Sequence, residues 1–152
     1  MNDRQKIQAY FAIHKTVHDF YYSNTIFESD FHFWWKIMQH KQEHVATLEA
    51  MLIMGDYLKR YPEELLIDED ILSHLSETKY FLIEEFNHNK TNDNALLTAI
   101  KIEETNYHSF LSCFYCIHHK PDHFSGLKKV ITFPDSPIQH LIDEYHKIRV
   151  KI

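Results

Sequence analysis

The chain has 152 residues, 44% of them hydrophobic and 25% charged, and a net charge of −6. That is enough for one domain, residues 1–152, with a full core of ordinary globular composition. The acidic balance and the lack of any Lys/Arg-rich run argue against a nucleic-acid partner.

Two glycines and four prolines are too few for the turns of a sheet protein, so the expectation is all-α, with long helices and few connections. No apolar run approaches the roughly 20 residues that span a bilayer, so no membrane partner is expected. Met1-Asn2-Asp3-Arg4-Gln5 lacks the apolar stretch of a signal peptide, which makes the cytoplasm the expected compartment. Cys113 and Cys116 do not make a disulfide scaffold.

A first helix is expected from about Asp3 to Ser23, capped by Asn2 with Gln5 placed for a capping box. Its seam is Ile7, Tyr10, Phe11, His14, Val17 and Tyr21, and His14 interrupts it. A second helix follows Ser29, a plausible cap, and stops at Gly55. Its seam runs Trp34, Ile37, Met38, Lys41, Val45, Leu48, Leu52, with Lys41 as the interruption and His44 nearly one turn on. Phe31, Phe33, Trp34 and Trp35 make an aromatic cluster suited to a core and a homodimer seam, or to an apolar pocket.

The stretch from Asp56 to Asp93 is too long for a hairpin, and Ile71, Leu72, Leu75, Phe81, Leu82 and Phe86 give it a helix of its own. A connection of that length can return along a whole bundle. A third helix is expected from Asn92 or Asp93 to about His118, with the seam Leu96, Ile100, Glu103, Tyr107, Phe110, Phe114, Ile117. Glu103 lies mid-seam, where an unpaired carboxylate is costly to bury. After an irregular stretch, Ser136-Pro137 starts a fourth helix carrying Ile138, Leu141, Ile142, Tyr145 and Ile148. Asp143 and His146 lie three apart on it. Carboxylates on helix seams and an acid-x-x-His pair are the parts of a di-iron or di-manganese bundle site. A weak echo between the two halves, with His44 and His146 at matching places, suggests a site on a pseudo-two-fold axis.

The segments AIHKTVHDFYY, FWWKIMQHKQEHVATLEAML and ALLTAIKIEETNYHSFL resemble the ferritin-like superfamily, most of all its rubrerythrin-related branch. The resemblance implies a ferritin-like four-helix bundle with a long crossover connection, here containing a short extra helix. In that family, helices one and three each give a Glu and helices two and four each give Glu-x-x-His. Two irons are bridged there, and oxygen or peroxide is reduced. By position, Glu103 matches the third-helix Glu, His44 and His146 the two histidines, and Asp143 the fourth-helix Glu. His14 and Lys41 fall where the other two Glu belong.

Two divalent metals carry +4, whereas Glu103 and Asp143 offer −2 and Lys41 adds +1. The expected consequence is that Lys41 replaces the metal charge, as a pseudo-site ion pair with Glu103 or Asp143 and with no cofactor. The alternative is iron or manganese on a reduced set, His14, His44, Glu103, Asp143 and His146, serving as an oxidoreductase or peroxide scavenger. Two other readings rank below these. The pairs His14/His18 and His40/His44 have hemerythrin-like spacing, with one face of each expected in solvent. Cys113-x-x-Cys116 is half a zinc site, and a semi-buried pair of reduced thiols is the expected state. No nucleophile elbow or phosphate-cradling glycine loop is present.

Overall fold

The computed structural model describes residues 1–118 and 138–150, with side chains over 1–116 and 141–147. Six α-helices form among the described residues: α1 (Asp3–Ser23), α2 (Phe31–Leu58), α3 (Glu69–Asn87), α4 (Asn92–Glu104), α5 (Ser109–His118) and α6 (Ile138–Val150). No strand occurs among the described residues. The expected start of the fourth helix at Ser136-Pro137 lies outside them, as do His119 and His123, one of which a zinc site on Cys113 and Cys116 would need as a further ligand.

Most helix limits follow the local chemistry. Asn2 caps α1 in a full capping box with Gln5. The helix α2 starts after Asp30 rather than Ser29 and passes Gly55 to end at Leu58, where Lys59 takes the left-handed conformation at φ 56°. Gly55 has a packing role instead, because a Cβ there would lie 2.2 Å from the Tyr61 ring.

Side-chain pairs fix the helix directions. The start of α1 meets the end of α2 through Arg4 and Asp56, and the end of α1 meets the start of α2 through Tyr21 and Trp34, so the two are antiparallel. Met1 pairs with Glu69 and Phe20 with Phe86, so α3 runs parallel to α1. Trp34 donates to Asn92 and Lys41 meets Glu103, so α4 runs parallel to α2. Parallel helices need a connection that returns the full length between them, and α3 makes this return while packing on α1 and α4. The extra helix is therefore not short. It has 19 residues, about 28 Å at the usual rise, and half-buries or buries Leu72, Leu75, Lys79, Leu82 and Phe86. Ile71 and Phe81, expected in that seam, are exposed.

The third expected helix is broken in two. Thr105 Oγ1 donates to the Ile102 carbonyl at 2.6 Å, and the Thr105 and Asn106 amides bond three residues back, tightening the last turn of α4. Asn106 then takes φ 53°, a conformation that asparagine tolerates. Tyr10 of α1 mends the gap: its hydroxyl donates to the Tyr107 carbonyl at 2.5 Å and accepts from the Leu111 amide at 3.3 Å. Buried backbone groups freed by a break need such partners. The helix α5 continues toward α2, where Tyr115 donates to Thr47, and α6 packs on α4 through a face that includes buried Leu141.

Candidate functional site

The interior between α1, α2, α3 and α4 is not dry hydrocarbon. His14, Lys41, His44, Lys79, Glu103 and His108 are all buried among the aromatic rings of Tyr10, Tyr21 and Tyr107. Each helix delivers its polar residue on the same 3–4 spacing that delivers its apolar ones, so the polar groups meet at one level.

Glu103, in the last turn of α4, is the centre. Its Oε1 accepts from the Tyr21 hydroxyl at 2.6 Å and from the Tyr107 hydroxyl at 3.0 Å. Lys41 Nζ sits 3.4 Å from Oε1 and 3.5 Å from Oε2, and both side chains of the pair are 0% exposed. His108 Nδ1 stands 3.7 Å from Oε2. The break after α4 makes this possible, because it carries the Tyr107 ring under the lysines: Lys41 Nζ lies 4.8 Å and Lys79 Nζ 4.0 Å from the ring centroid. Lys79 Nζ also donates to Thr105 Oγ1 at 3.3 Å.

Burial sets the protonation states. It drives the Tyr21 and Tyr107 hydroxyls well above their usual range, reinforced by Glu103, so both remain donors. It lowers Lys41, against the pull of Glu103. It lowers Lys79 to about 7, with Lys41 adding to the shift and Glu103 opposing it. His14 and His44 are held well below 6.5 by burial and then by Lys41, and His40 falls to about 4 for the same reasons. His14, His40 and His44 are therefore neutral imidazoles and Tyr21 and Tyr107 neutral phenols near neutral pH.

Of the residues expected at the site, Lys41, Glu103, His14 and His44 come together. The rings of His14 and His44 are 5.7 Å apart, and His14 is 4.8 Å from Tyr107. Asp143 and His146 do not join them. Both are exposed on α6, whose buried side is taken by Leu141, with Ile142 and Tyr145 half-buried. The expected pseudo-two-fold match of His146 to His44 fails for that reason. His18 meets Asp19 at 2.9 Å with its side chain only 14% exposed, so it is half-buried rather than in solvent as expected. Cys113 and Cys116 are exposed rather than semi-buried. In the aromatic cluster, Trp34 is core while Phe31 and Trp35 stack on the surface.

Lys79, Tyr21, Tyr107 and His108 complete the site, and none was read as polar machinery from sequence. Lys79 carried the same signal as Lys41, a lysine at seam spacing between Leu75 and Leu82. The tyrosines were counted as apolar seam residues.

Iron or manganese is the cofactor implied by the resemblance, and the donors do not fit two divalent ions. Among the described residues Glu103 is the only carboxylate at the centre, two phenols occupy its Oε1, and an ammonium stands 3.4 Å away. Among the described residues no three His, Cys, Asp or Glu side chains are grouped to hold a metal. None of the described helices is long and apolar enough to cross a membrane. No family model matches the chain, and the comparisons with curated proteins and with solved structures find no match.

Proposed function

We propose that this chain is a diverged ferritin-like, rubrerythrin-related bundle in which the Lys41 ammonium stands where a metal cation would, and that it acts as a binding or interaction protein. The observation that carries the reading is the fully buried Lys41–Glu103 pair, whose two residues the sequence resemblance matches to two of that family's metal-binding Glu. The parallel α2 and α4, joined by a full-length return through α3, support the ferritin-like topology. A buried pair costs desolvation on both sides, so it is retained where the geometry supplies further hydrogen bonds, as Tyr21 and Tyr107 do here.

A second reading rests on one observation. Both ring nitrogens of His14 and Nδ1 of His44 are buried with no hydrogen-bond partner. Neutral imidazole is the metal-binding form, so these two histidines favour a single iron or manganese ion beside the ion pair, with a reduced oxidoreductase or peroxide-scavenging role.

Elemental analysis after dialysis against Fe(II) or Mn(II) separates the two. The first reading expects wild type well below one metal per chain, and Lys41→Glu with raised uptake. One metal per wild-type chain, lost in His14→Ala, establishes the second. Two metals per wild-type chain overturn both.

A further inference from the structure

The outward face of α5 carries two free thiols, Cys113 and Cys116, both exposed. The residues between and before them, Leu111, Phe114 and Tyr115, are buried. The Tyr115 hydroxyl donates to Thr47 at 3.0 Å, which fixes the rotation of the helix and holds the cysteines on its outer side. Cysteine is among the most often buried residue types, so two exposed on one short helix are not explained by core packing.

Residues three apart on a helix are surface neighbours, with Cβ atoms about 5–6 Å apart. Two sulfurs on one tetrahedral zinc ion, each about 2.3 Å from the metal, lie about 3.8 Å from each other. Rotation about χ1 closes that difference, so the pair can chelate one ion, as Glu and His at the same spacing do in metal-binding bundles. A structural zinc site needs four ligands. Among the described residues no third His, Cys, Asp or Glu is grouped with these two. The described chain therefore presents half a site, and a second copy turned about a two-fold axis presents the matching half. The face around the thiols permits that approach. Residues 109–116 carry no formally charged side chain, and the exposed residue one turn before Cys113 is Ser109. Small uncharged side chains let two helix axes come within about 8–10 Å.

We propose that Cys113 and Cys116 are half of a zinc site that the same two cysteines of a second copy complete, so that one Zn(II) held by four thiolates joins two chains. Each thiol gives up its proton as it binds, so assembly takes one Zn(II) and releases four protons, with no oxidation or reduction. Thiolate ligands select zinc over the hard ions that carboxylates favour. The inference rests neither on the Lys41–Glu103 pair nor on a metal at His14 and His44.

The test titrates Zn(II) into the full chain, its thiols kept reduced by a phosphine, against a chromophoric chelator, and follows mass by size exclusion with light scattering. Uptake should saturate at one zinc per two chains as the mass doubles, and EDTA should return the monomer. Co(II) in place of zinc should give the near-ultraviolet sulfur-to-metal band and the visible absorption of a tetrahedral four-sulfur site. Cys113→Ser and Cys116→Ser should each lose the zinc and the dimer, with circular dichroism unchanged because both side chains are exposed. His14→Ala should keep both, which separates this site from a metal in the interior. Three results overturn the proposal: no zinc uptake by folded protein whose two thiols react with a disulfide reagent, one zinc on a monomeric chain, or a zinc-dependent dimer that persists in Cys113→Ser/Cys116→Ser.

Discussion

Replacing Lys41 by methionine keeps a straight apolar stem and removes the ammonium. Glu103 is then left fully buried with two phenol donors, without its ion-pair partner at 3.4 Å, and with only His108 Nδ1 at 3.7 Å and the more distant Lys79 as remaining basic groups. At 3.4 Å the direct attraction is about 5 kcal/mol with an effective dielectric constant of about 20. Removing one partner of a buried pair typically costs about 3–5 kcal/mol, since the survivor keeps its desolvation penalty. Lys41→Met is therefore expected to lose about 3–5 kcal/mol in urea unfolding followed by circular dichroism. Glu103→Gln alone strands the ammonium and should cost a similar amount. The double variant Lys41→Met/Glu103→Gln removes both charges while the Gln oxygen still accepts from Tyr21 and Tyr107. It should recover most of the loss, giving a coupling energy of about 2 kcal/mol or more. A coupling near zero, with Lys41→Met as stable as wild type, would refute the claim that the pair is charged and mutually supporting.

Three further outcomes follow from the same interior. Lys79 held near 7 instead of 10.5 costs the fold about 4 kcal/mol at pH 7, because the unfolded chain binds that proton more tightly. Stability of wild type should thus rise from pH 7 toward pH 10, and Lys79→Met should be more stable at pH 7 and flatter over that window in thermal melts. His14 and His44 stay neutral in the fold while the unfolded chain protonates them below about 6.5, so each should cost about 1.4 kcal/mol per pH unit as pH falls below that point. His14→Gln should reduce that acid slope by about one histidine's share, read from urea midpoints between pH 6.5 and 5. Tyr21→Phe deletes a 2.6 Å hydrogen bond to a buried carboxylate and should cost about 1.5–3 kcal/mol in the same urea assay.

Much of this was legible in the amino-acid order, and the misses have physical causes. Lys41 and Glu103 each break an apolar seam, and a buried charge needs a partner, so their meeting followed from periodicity and electrostatics alone. His14 interrupts its own seam in the same way, whereas His44 lies outside the expected seam and was placed at the site by its match to the family's second-helix His. The break between α4 and α5 could not be read locally, since Asn106 and Thr105 are compatible with a continued helix. What stabilises the break is Tyr10, nearly a hundred residues away, holding the Tyr107 carbonyl and the Leu111 amide. Asp143 and His146 had the right spacing for a site, but spacing does not say which stripe of a helix faces inward. The buried stripe of α6 includes Leu141, with Ile142 and Tyr145 half-buried beside it, and the acid and the histidine fall outside it. Lys79 was missed because lysine on a helix is usually a solvated residue. Only the packing of α3 on both α1 and α4 turns that position inward.

The most direct test of the account is the effect of added metal on stability. A ligand that binds only the folded state raises the melting temperature by mass action. With Fe(II) or Mn(II) in excess under anaerobic conditions, wild type should melt at an unchanged temperature, because Lys41 already supplies the positive charge at Glu103. Lys41→Glu, which gives the centre a second carboxylate in its place, should melt higher with metal than without. A wild type that gains several degrees with metal, while Lys41→Glu gains no more, would contradict the replacement of a cation by Lys41.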